Sequence, residues 1–182
     1  MRLYHGTSFS ASRSIINSRK ILHKIKRTYD ASSTLPTTDG FVYLTSNIGY
    51  AIYMANKEAY FQSDKYLSVF EVELSEKELL PDFDELEYVH NIKRQDSSHY
   101  NYVDSINKSQ CCCVARSLNL FDDVRKQLVL PSSMTRTDPL NSLTDKLIML
   151  RNADDHQNAM ELLKEQVWKL FDNHAEKSRQ GY

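Results

Sequence analysis

The chain begins Met1-Arg2-Leu3-Tyr4-His5-Gly6-Thr7, and this stretch indicates how the fold starts. Polar and apolar residues alternate from Arg2 to His5 and the alternation stops at Gly6, which predicts a short β-strand that ends at a site. A glycine at that point lets a flat ligand approach the backbone, because there is no side chain to block it. A hydroxyl at Thr7 or Ser8 can then cap a helix that follows the strand.

A second decisive stretch is Gly40-Phe41-Val42-Tyr43-Leu44-Thr45. The residues from Phe41 to Leu44 are strongly β-prone and predict another strand. Thr45 or Ser46 is placed to cap the next helix. The apolar residues expected to share one face of that helix are Ile48, Ile52, Ala55 and Ala59.

A basic run and a polar loop separate these two stretches. The basic run comprises Arg19, Lys20, His23, Lys24, Lys26 and Arg27. Such a run is usually a solvated face, and the alternative is a contact for the phosphates of a dinucleotide or polynucleotide. Residues 28–40 lack periodicity, and a loop of this length inside a compact domain is often functional.

The rest of the chain predicts an α+β domain with a helical extension. Further strands are expected at Tyr66 to Leu74, Cys111 to Leu120 and Val124 to Leu130, and the acidic segment from Glu76 to Tyr102 is expected to be mostly irregular. After a turn-rich linker the apolar spacing becomes helical, through Phe171. We therefore predict a catalytic domain over residues 1–131, a linker over 132–141 and a C-terminal helical extension over 142–182, packed on the domain or used to dock a partner.

Composition excludes several classes of protein. The net charge of −1 and pI of about 6.6 provide no overall basic field for nucleic acid. No apolar run reaches the roughly 20 residues that span a membrane, and the polar N-terminal residues are not expected to form a signal peptide. The cysteines Cys111, Cys112 and Cys113 are adjacent and lack zinc-ligand spacing, so they are expected to be buried strand residues and no metal is expected. These features predict a cytoplasmic protein.

The order of these motifs resembles the ADP-ribosyltransferase superfamily. The similarity is closest to its diphtheria-toxin-like and poly(ADP-ribose)-polymerase-like branch, whose signature residues are His, Tyr and Glu. Its first strand resembles Tyr4-His5-Gly6-Thr7, and its second motif resembles Gly40-Phe41-Val42-Tyr43-Leu44-Thr45 followed by Tyr50-Ala51-Ile52-Tyr53. The resemblance covers residues 2–130, is specific only in the first half, and implies a split mixed or antiparallel β-sheet with flanking helices.

The resemblance also implies roles for individual residues around NAD+ as co-substrate. His5 would bind the adenosine-side ribose, and the backbone of Gly6 would bind the nicotinamide amide. Thr7 would add a polar contact. Tyr43 would form one wall of the nicotinamide slot, and Tyr53 could stack on the other face of the ring. Two aromatic faces suit a flat cationic ring.

The third signature position departs from the family. Where the family has a catalytic Glu on a late strand, this sequence offers Gln127, which can hydrogen-bond a ribose hydroxyl but cannot act as a base. Arg125, two residues earlier on the same strand face, could bind phosphate. The acids that could serve instead are Asp122, Asp123, Glu71, Glu73 and Asp82.

The leading functional hypothesis is a mono-ADP-ribosyltransferase, acting as a bacterial or phage toxin or defence effector. A nucleic acid, RNA in particular, is favoured as the acceptor over a protein side chain. The alternatives are an RNA 2′-phosphotransferase, which would use Arg125, and a degenerate NAD+- or ADP-ribose-binding module. The C-terminal helices are expected to pack on the domain or to dock an antitoxin or chaperone.

Overall fold

The computed structural model of the chain describes residues 1–24, 37–135 and 138–171. The strands are β1 (Arg2–Ser8), β2 (Lys20–Ile21), β3 (Val42–Thr45), β4 (Tyr66–Glu73), β5 (Leu80–Pro81), β6 (Cys111–Val114), β7 (Leu118–Asn119), β8 (Val124–Pro131) and β9 (Lys169–Leu170). The helices are α1 (Phe9–Ser18), α2 (Ile48–Gln62), α3 (Phe83–Tyr88), α4 (Tyr102–Ser109), α5 (Asn141–Met149) and α6 (His156–Leu162). The predicted α+β class is confirmed.

The main sheet has seven strands in the order β5-β6-β3-β1-β4-β8-β9, and its described pairings are antiparallel. Strand β1 pairs with β4 from Arg2 through Ser8. On its other side β1 pairs with β3 only through Tyr4 and Thr45. The strands β5, β6 and β3 are therefore joined to the rest of the sheet by that single pair, and a gap opens between β1 and β3 beyond it.

Strand β1 is longer than its sequence predicts. It runs past Gly6 to Ser8, because every residue from Arg2 to Ser8 has a partner on β4. The hydroxyl of Ser8 then accepts a hydrogen bond from the backbone amide of Ala11 at 3.3 Å. Ser8 therefore caps α1, and of the two predicted alternatives, Thr7 and Ser8, the second is confirmed.

Helix α2 starts later than expected. Asn47 caps it, accepting hydrogen bonds from the amides of Gly49 and Tyr50 through its side-chain oxygen, so the predicted cap at Thr45 or Ser46 is wrong. Thr45 instead belongs to β3 and donates its hydroxyl to the carbonyl of Gln110 at 2.8 Å. The predicted apolar face of α2 is confirmed, because Ile48, Ile52, Ala55 and Ala59 are all buried.

The sheet separates two apolar clusters. One contains Leu3, Val42, Leu44 and Phe70 with the side chains of β6 and β7. The other contains Tyr4, Val69 and Leu128 with the buried face of α2. Side chains that alternate along β1 therefore enter different clusters, as the two-residue period of a strand requires.

The C-terminal helices pack on α2 through Leu147, Ala159 and Leu163. The packing is close at Gly49, where an added Cβ would lie 2.1 Å from the carbonyl oxygen of Leu150. The predicted helical pattern does not extend through Phe171, because Lys169–Leu170 forms β9 and pairs with the outer edge of β8. Residues 172–182 of the predicted extension lie outside the described residues.

The segment between β4 and β6 is more regular than predicted. Asp82 caps α3 by accepting the amide of Glu85 at 2.9 Å, and Asn101 caps α4 with Asp104 as its reciprocal partner. These local caps each satisfy one or more of the free amides at the start of their helix. The predicted strand from Cys111 to Leu120 is in fact two short strands, β6 and β7, while the predicted burial of the three cysteines is confirmed.

Across the three described ranges, no helix is long and apolar enough to cross a membrane.

Candidate functional site

A cleft of about 510 Å³ lies at the gap between β1 and β3. His5, Gly6 and Thr7 line it from β1, and Tyr43 lines it from β3. If the pairing of Tyr4 with Thr45 continued, Gly6 would lie opposite Tyr43 in the antiparallel ladder. The two strands instead separate at this point, and helices α1, α2 and α3 complete the walls. A volume of this size is typical of a small-molecule site.

His5 connects the two strands across the gap. Its Nδ1 lies 3.0 Å from the carbonyl oxygen of Tyr43, so Nδ1 carries the proton and donates it. This bond fixes the tautomer and the orientation of the imidazole ring. In the neutral ring, the second nitrogen, Nε2, is then a hydrogen-bond acceptor.

Gly6 lies directly against α2. A Cβ at this position would be 2.0 Å from the carbonyl oxygen of Ala51 and 3.1 Å from the Cβ of Ala55. Real Cβ atoms do not approach backbone this closely, so only glycine allows β1 and α2 to pack here. From the sequence, Gly6 is expected to allow ligand access. The structure also gives Gly6 a packing role, because the close contact brings α2 to the cleft.

Asp84 holds Tyr43 in position. The Tyr43 hydroxyl is 2.5 Å from Asp84 Oδ2, and the same carboxylate accepts hydrogen bonds from the amide and hydroxyl of Thr38 and from Arg94. Burial and the hydrogen bond to Asp84 raise the pKa of Tyr43 well above its usual range. Tyr43 is therefore a neutral hydrogen-bond donor, and its ring is held at the wall of the cleft.

Tyr50, and not Tyr53, lines the cleft from α2. Tyr50 hydrogen-bonds to Glu85. Burial raises the pKa of Glu85. Tyr53 is not among the residues that line the cleft; its ring packs 5.9 Å from the ring of Tyr50 and contacts the guanidinium of Arg151.

Glu58 of α2 reaches the cleft beside β1. Its Oε2 accepts a hydrogen bond from the Thr7 hydroxyl at 3.0 Å. The predicted polar role of Thr7 in the cleft is thus compatible with its position, while helix capping belongs to Ser8. Burial raises the pKa of Glu58 against the opposing effect of the hydrogen bonds from Thr7 and the Ser8 backbone.

Asp82 is the most deeply buried acid of the cleft, at 4 % exposure. Burial raises its pKa to about 8, and the charges of Glu85 and Asp84 act in the same direction. The folded protein therefore holds a proton on Asp82 over a pH range in which the unfolded chain, with an ordinary carboxyl pKa of 3.8, has lost it. The contribution of Asp82 to stability is full below that lower pKa and is lost as the pH rises through about 8.

Asp82→Asn is expected to flatten the dependence of the melting temperature on pH. An asparagine keeps the side-chain oxygen that caps α3 and has no proton to lose, so the variant should lose less stability than wild type between pH 5 and pH 8. Thermal unfolding at intervals across this range measures the difference. Asp154→Asn, at an exposed position, is the control and should follow wild type. Parallel curves for wild type and Asp82→Asn would contradict the raised pKa.

The structure does not bring the residues predicted from β8 to the cleft. Strand β4 lies between β1 and β8, so Gln127 is not beside His5 as predicted. Gln127 is buried, donates to the hydroxyl of Ser68 at 2.7 Å, and is not among the residues that line the cleft. Arg125 is exposed and hydrogen-bonds to Glu73 at 2.8 Å.

Most of the alternative acids also lie away from the cleft. Glu71 is buried and forms ion pairs with Arg2 and Lys126. Asp123 is bound by Arg116, Glu73 by Arg125, and Asp122 is exposed. Of the five acids considered from the sequence, only Asp82 lines the cleft.

Asp84 and Glu85 were not predicted as site residues, although the sequence contains a pattern that indicates their position. Asp82 followed three residues later by Glu85 is a helix N-terminal pattern, which would have placed α3 and its acids together. Glu58 had a weaker signal, as an acid adjacent to the apolar face of α2.

The basic run contributes one lining residue within the described part of the chain, Lys20, and α2 contributes Lys57. Lys26 and Arg27, with residues 28–36 of the polar loop, lie outside the described residues. Among the residues that are described, no group of His, Cys, Asp and Glu side chains is arranged to hold a metal ion.

No protein-family model matches the sequence of this chain, and no curated protein sequence matches it either.

Proposed function

We propose that the chain is an NAD+-dependent mono-ADP-ribosyltransferase. The observation that carries the proposal is the cleft at the gap between β1 and β3, where His5, Gly6 and Thr7 of one strand face Tyr43 of the other. These are the residues that the resemblance assigns to NAD+. The gap in an antiparallel sheet also agrees with the split sheet that the resemblance implies.

The chemistry of the cleft suits cleavage of the nicotinamide–ribose bond. As that bond breaks, positive charge develops on the ribose, and fixed negative groups nearby stabilise the charge. Besides Asp82, which keeps its proton near neutral pH, three carboxyl groups line the cleft, those of Glu58, Asp84 and Glu85. Tyr43 and Tyr50 present aromatic rings suited to a flat cation, with Tyr50 in the role expected for Tyr53. Lys20 and Lys57 can meet the pyrophosphate at the same cleft.

Nucleic acid, RNA in particular, is the acceptor we propose, with a protein side chain as the alternative. The support is Lys20 in the cleft wall and Lys24, exposed a few residues later in the same basic run. Phosphate contacts of this kind position a strand without reading its sequence. The setting we propose is a bacterial or phage toxin or defence effector, for which an antitoxin or chaperone would be the natural partner.

A second candidate is an NAD+- or ADP-ribose-binding module without catalysis. The placement of Gln127 favours it, because the third signature position is buried against Ser68 rather than open to the cleft. An RNA 2′-phosphotransferase has less support, since Arg125, the basic residue expected to serve it, hydrogen-bonds to Glu73 and does not line the cleft.

Incubation of the protein with NAD+ labelled in its adenylate part, and with RNA, DNA or a protein lysate, tests the proposal. We expect release of nicotinamide and transfer of label to RNA. Thermal unfolding with NAD+ at about 100 times its dissociation constant should show roughly 2.7 kcal/mol of added stability. Stabilisation without nicotinamide release would favour the binding module. If NAD+ neither stabilises the protein nor loses its nicotinamide, both the enzyme and the binding module are contradicted.

A further inference from the structure

We propose that Glu58 of α2 is the catalytic base of the transfer reaction. It would take the place of the carboxylate that the signature puts on a late strand. This inference rests on the proposed function, because it assigns a role in that reaction. It uses a helix residue that the motifs do not include.

The position of Glu58 on α2 favours this role. Ala51, Met54 and Glu58 line the cleft from successive turns of α2, at the three- and four-residue spacing of one helix face. Gly6 lets this face approach β1 closely, since Ala51 and Ala55 lie against it. Glu58 is one turn further along and therefore lies beside Thr7, at the edge of the predicted nicotinamide slot.

Hydrogen bonds from β1 also orient the Glu58 carboxylate. The Thr7 hydroxyl donates to Glu58 Oε2 at 3.0 Å, and the backbone amide of Ser8 also hydrogen-bonds to this carboxylate. Thr7 and Ser8 immediately follow His5-Gly6. A shift of the His5-Gly6 segment would therefore move the carboxylate with it, which keeps the base in register with the bound dinucleotide.

The other three acids of the cleft bond to residues outside β1, whereas Glu58 bonds to Thr7 and Ser8 of that strand. Asp84 accepts hydrogen bonds from Tyr43, Thr38 and Arg94, and so holds the tyrosine wall. Asp82 caps α3 and its raised pKa keeps it protonated near neutral pH, so it is a poor base. Glu85 accepts from Tyr50. These three belong to the segment from Asp82 to Tyr88, while Glu58 lies on the β1 side of the cleft.

The transfer step breaks one bond at ribose C1′ and forms one. The bond between ribose C1′ and the nicotinamide nitrogen breaks, and its electron pair leaves with nicotinamide, which departs neutral. A hydroxyl oxygen of the acceptor forms the new bond to C1′. The proton of that hydroxyl passes to the Glu58 carboxylate and then to solvent. No oxidant or metal is required.

Opposing effects act on the pKa of Glu58. Burial raises the pKa of Glu58, the charge of Asp64 raises it further, and the hydrogen bonds from Thr7 and Ser8 lower it. The other acidic and basic side chains that line the cleft are those of His5, Lys20, Lys57, Asp82, Asp84 and Glu85.

The test compares Glu58→Gln with wild type in nicotinamide release, acceptor labelling and stabilisation by NAD+. General-base catalysis contributes roughly 10²- to 10⁴-fold, so we expect kcat to fall by that order. Stabilisation by NAD+ should persist, because a glutamine can still accept from Thr7. Glu58→Asp keeps a carboxylate and should retain more activity than Glu58→Gln, which guards against a simple folding defect.

Two further variants move the pH profile in opposite directions, which a purely structural role of Glu58 would not produce. Activity should fall on the acidic side as Glu58 is protonated. Asp64→Asn removes a charge that raises the pKa of Glu58, so this acidic limb should move to lower pH. Thr7→Val removes a hydrogen bond that lowers the pKa, so the limb should move to higher pH.

The outcomes separate the two proposals. Absence of nicotinamide release by wild type with every acceptor would reject the proposed function and this inference with it. An active wild type with a Glu58→Gln variant whose kcat is unchanged would overturn the role of Glu58 alone. Loss of NAD+ stabilisation in Glu58→Gln, or an acidic limb that neither Asp64→Asn nor Thr7→Val moves, would also overturn that role. Loss of kcat with binding retained and the two opposite shifts would support it.

Discussion

Replacing His5 by alanine is expected to reduce nicotinamide release from NAD+ by about 100-fold or more. His5 is the link across the gap between β1 and β3, through the bond from Nδ1 to the Tyr43 carbonyl. Its removal takes away both a proposed ribose contact and the bond that positions the two walls of the cleft. Small displacements of bound reactants can cost about two orders of magnitude in rate.

The stability of His5→Ala should change little by comparison. One hydrogen bond contributes about 1 kcal/mol, which corresponds to roughly 2–4 °C in melting temperature for a chain of this size. Steady-state release of nicotinamide and thermal unfolding measure the two effects separately. The control is His99→Ala, an exposed histidine that does not line the cleft and should retain wild-type turnover. Near-normal turnover in His5→Ala would reject the assignment of the cleft.

Gly6→Ala is expected to destabilise the protein by about 3 kcal/mol, at the upper end of the usual cost of overpacking. The new Cβ would lie 2.0 Å from the carbonyl oxygen of Ala51. This oxygen belongs to the backbone of α2, so it cannot move away by a change of rotamer as a side chain can. Strand β1 and helix α2 must move apart. For a chain of this size the melting temperature should fall by roughly 6–12 °C.

The same separation should weaken binding, because β1 and α2 are both walls of the cleft. Gly40→Ala is the matched variant: it adds the same methyl group where, apart from its chain neighbours, no atom of the described residues lies within 4 Å. Its cost comes only from the positive φ of 94°, about 1–2 kcal/mol. We expect NAD+ to stabilise Gly40→Ala as it does wild type, and Gly6→Ala much less. Equal melting temperatures for Gly6→Ala and wild type would show that the close packing at Gly6 is wrong.

The local parts of the fold could be predicted because they depend on neighbouring residues. Alternation from Arg2 to His5 indicates β1, and the buried face of α2 follows from residues three and four apart. The segment from Glu76 to Tyr102 was expected to be mostly irregular, and it is more regular than predicted. Asp82 and Asn101 cap helices there, and both caps are local sequence signals. At Lys169–Leu170 helical spacing was misleading, since the open edge of β8 provides a strand partner.

The candidate site divides in the same way. His5, Gly6, Thr7 and Tyr43 all line the cleft, and each lies within a short motif in a strand. Gln127 does not, although its own strand was correctly predicted.

What the sequence determines by itself is therefore the set of elements and the residues at their ends. Periodicity and capping act over three or four residues, so β1, α2, β4 and β8 can be found without knowing their neighbours. The order of strands is a different kind of information, because it depends on which apolar faces pack together across the whole chain. Only the tertiary structure places β4 between β1 and β8, which keeps Gln127 from the cleft, and only the close contact at Gly6 brings Glu58 of α2 to it.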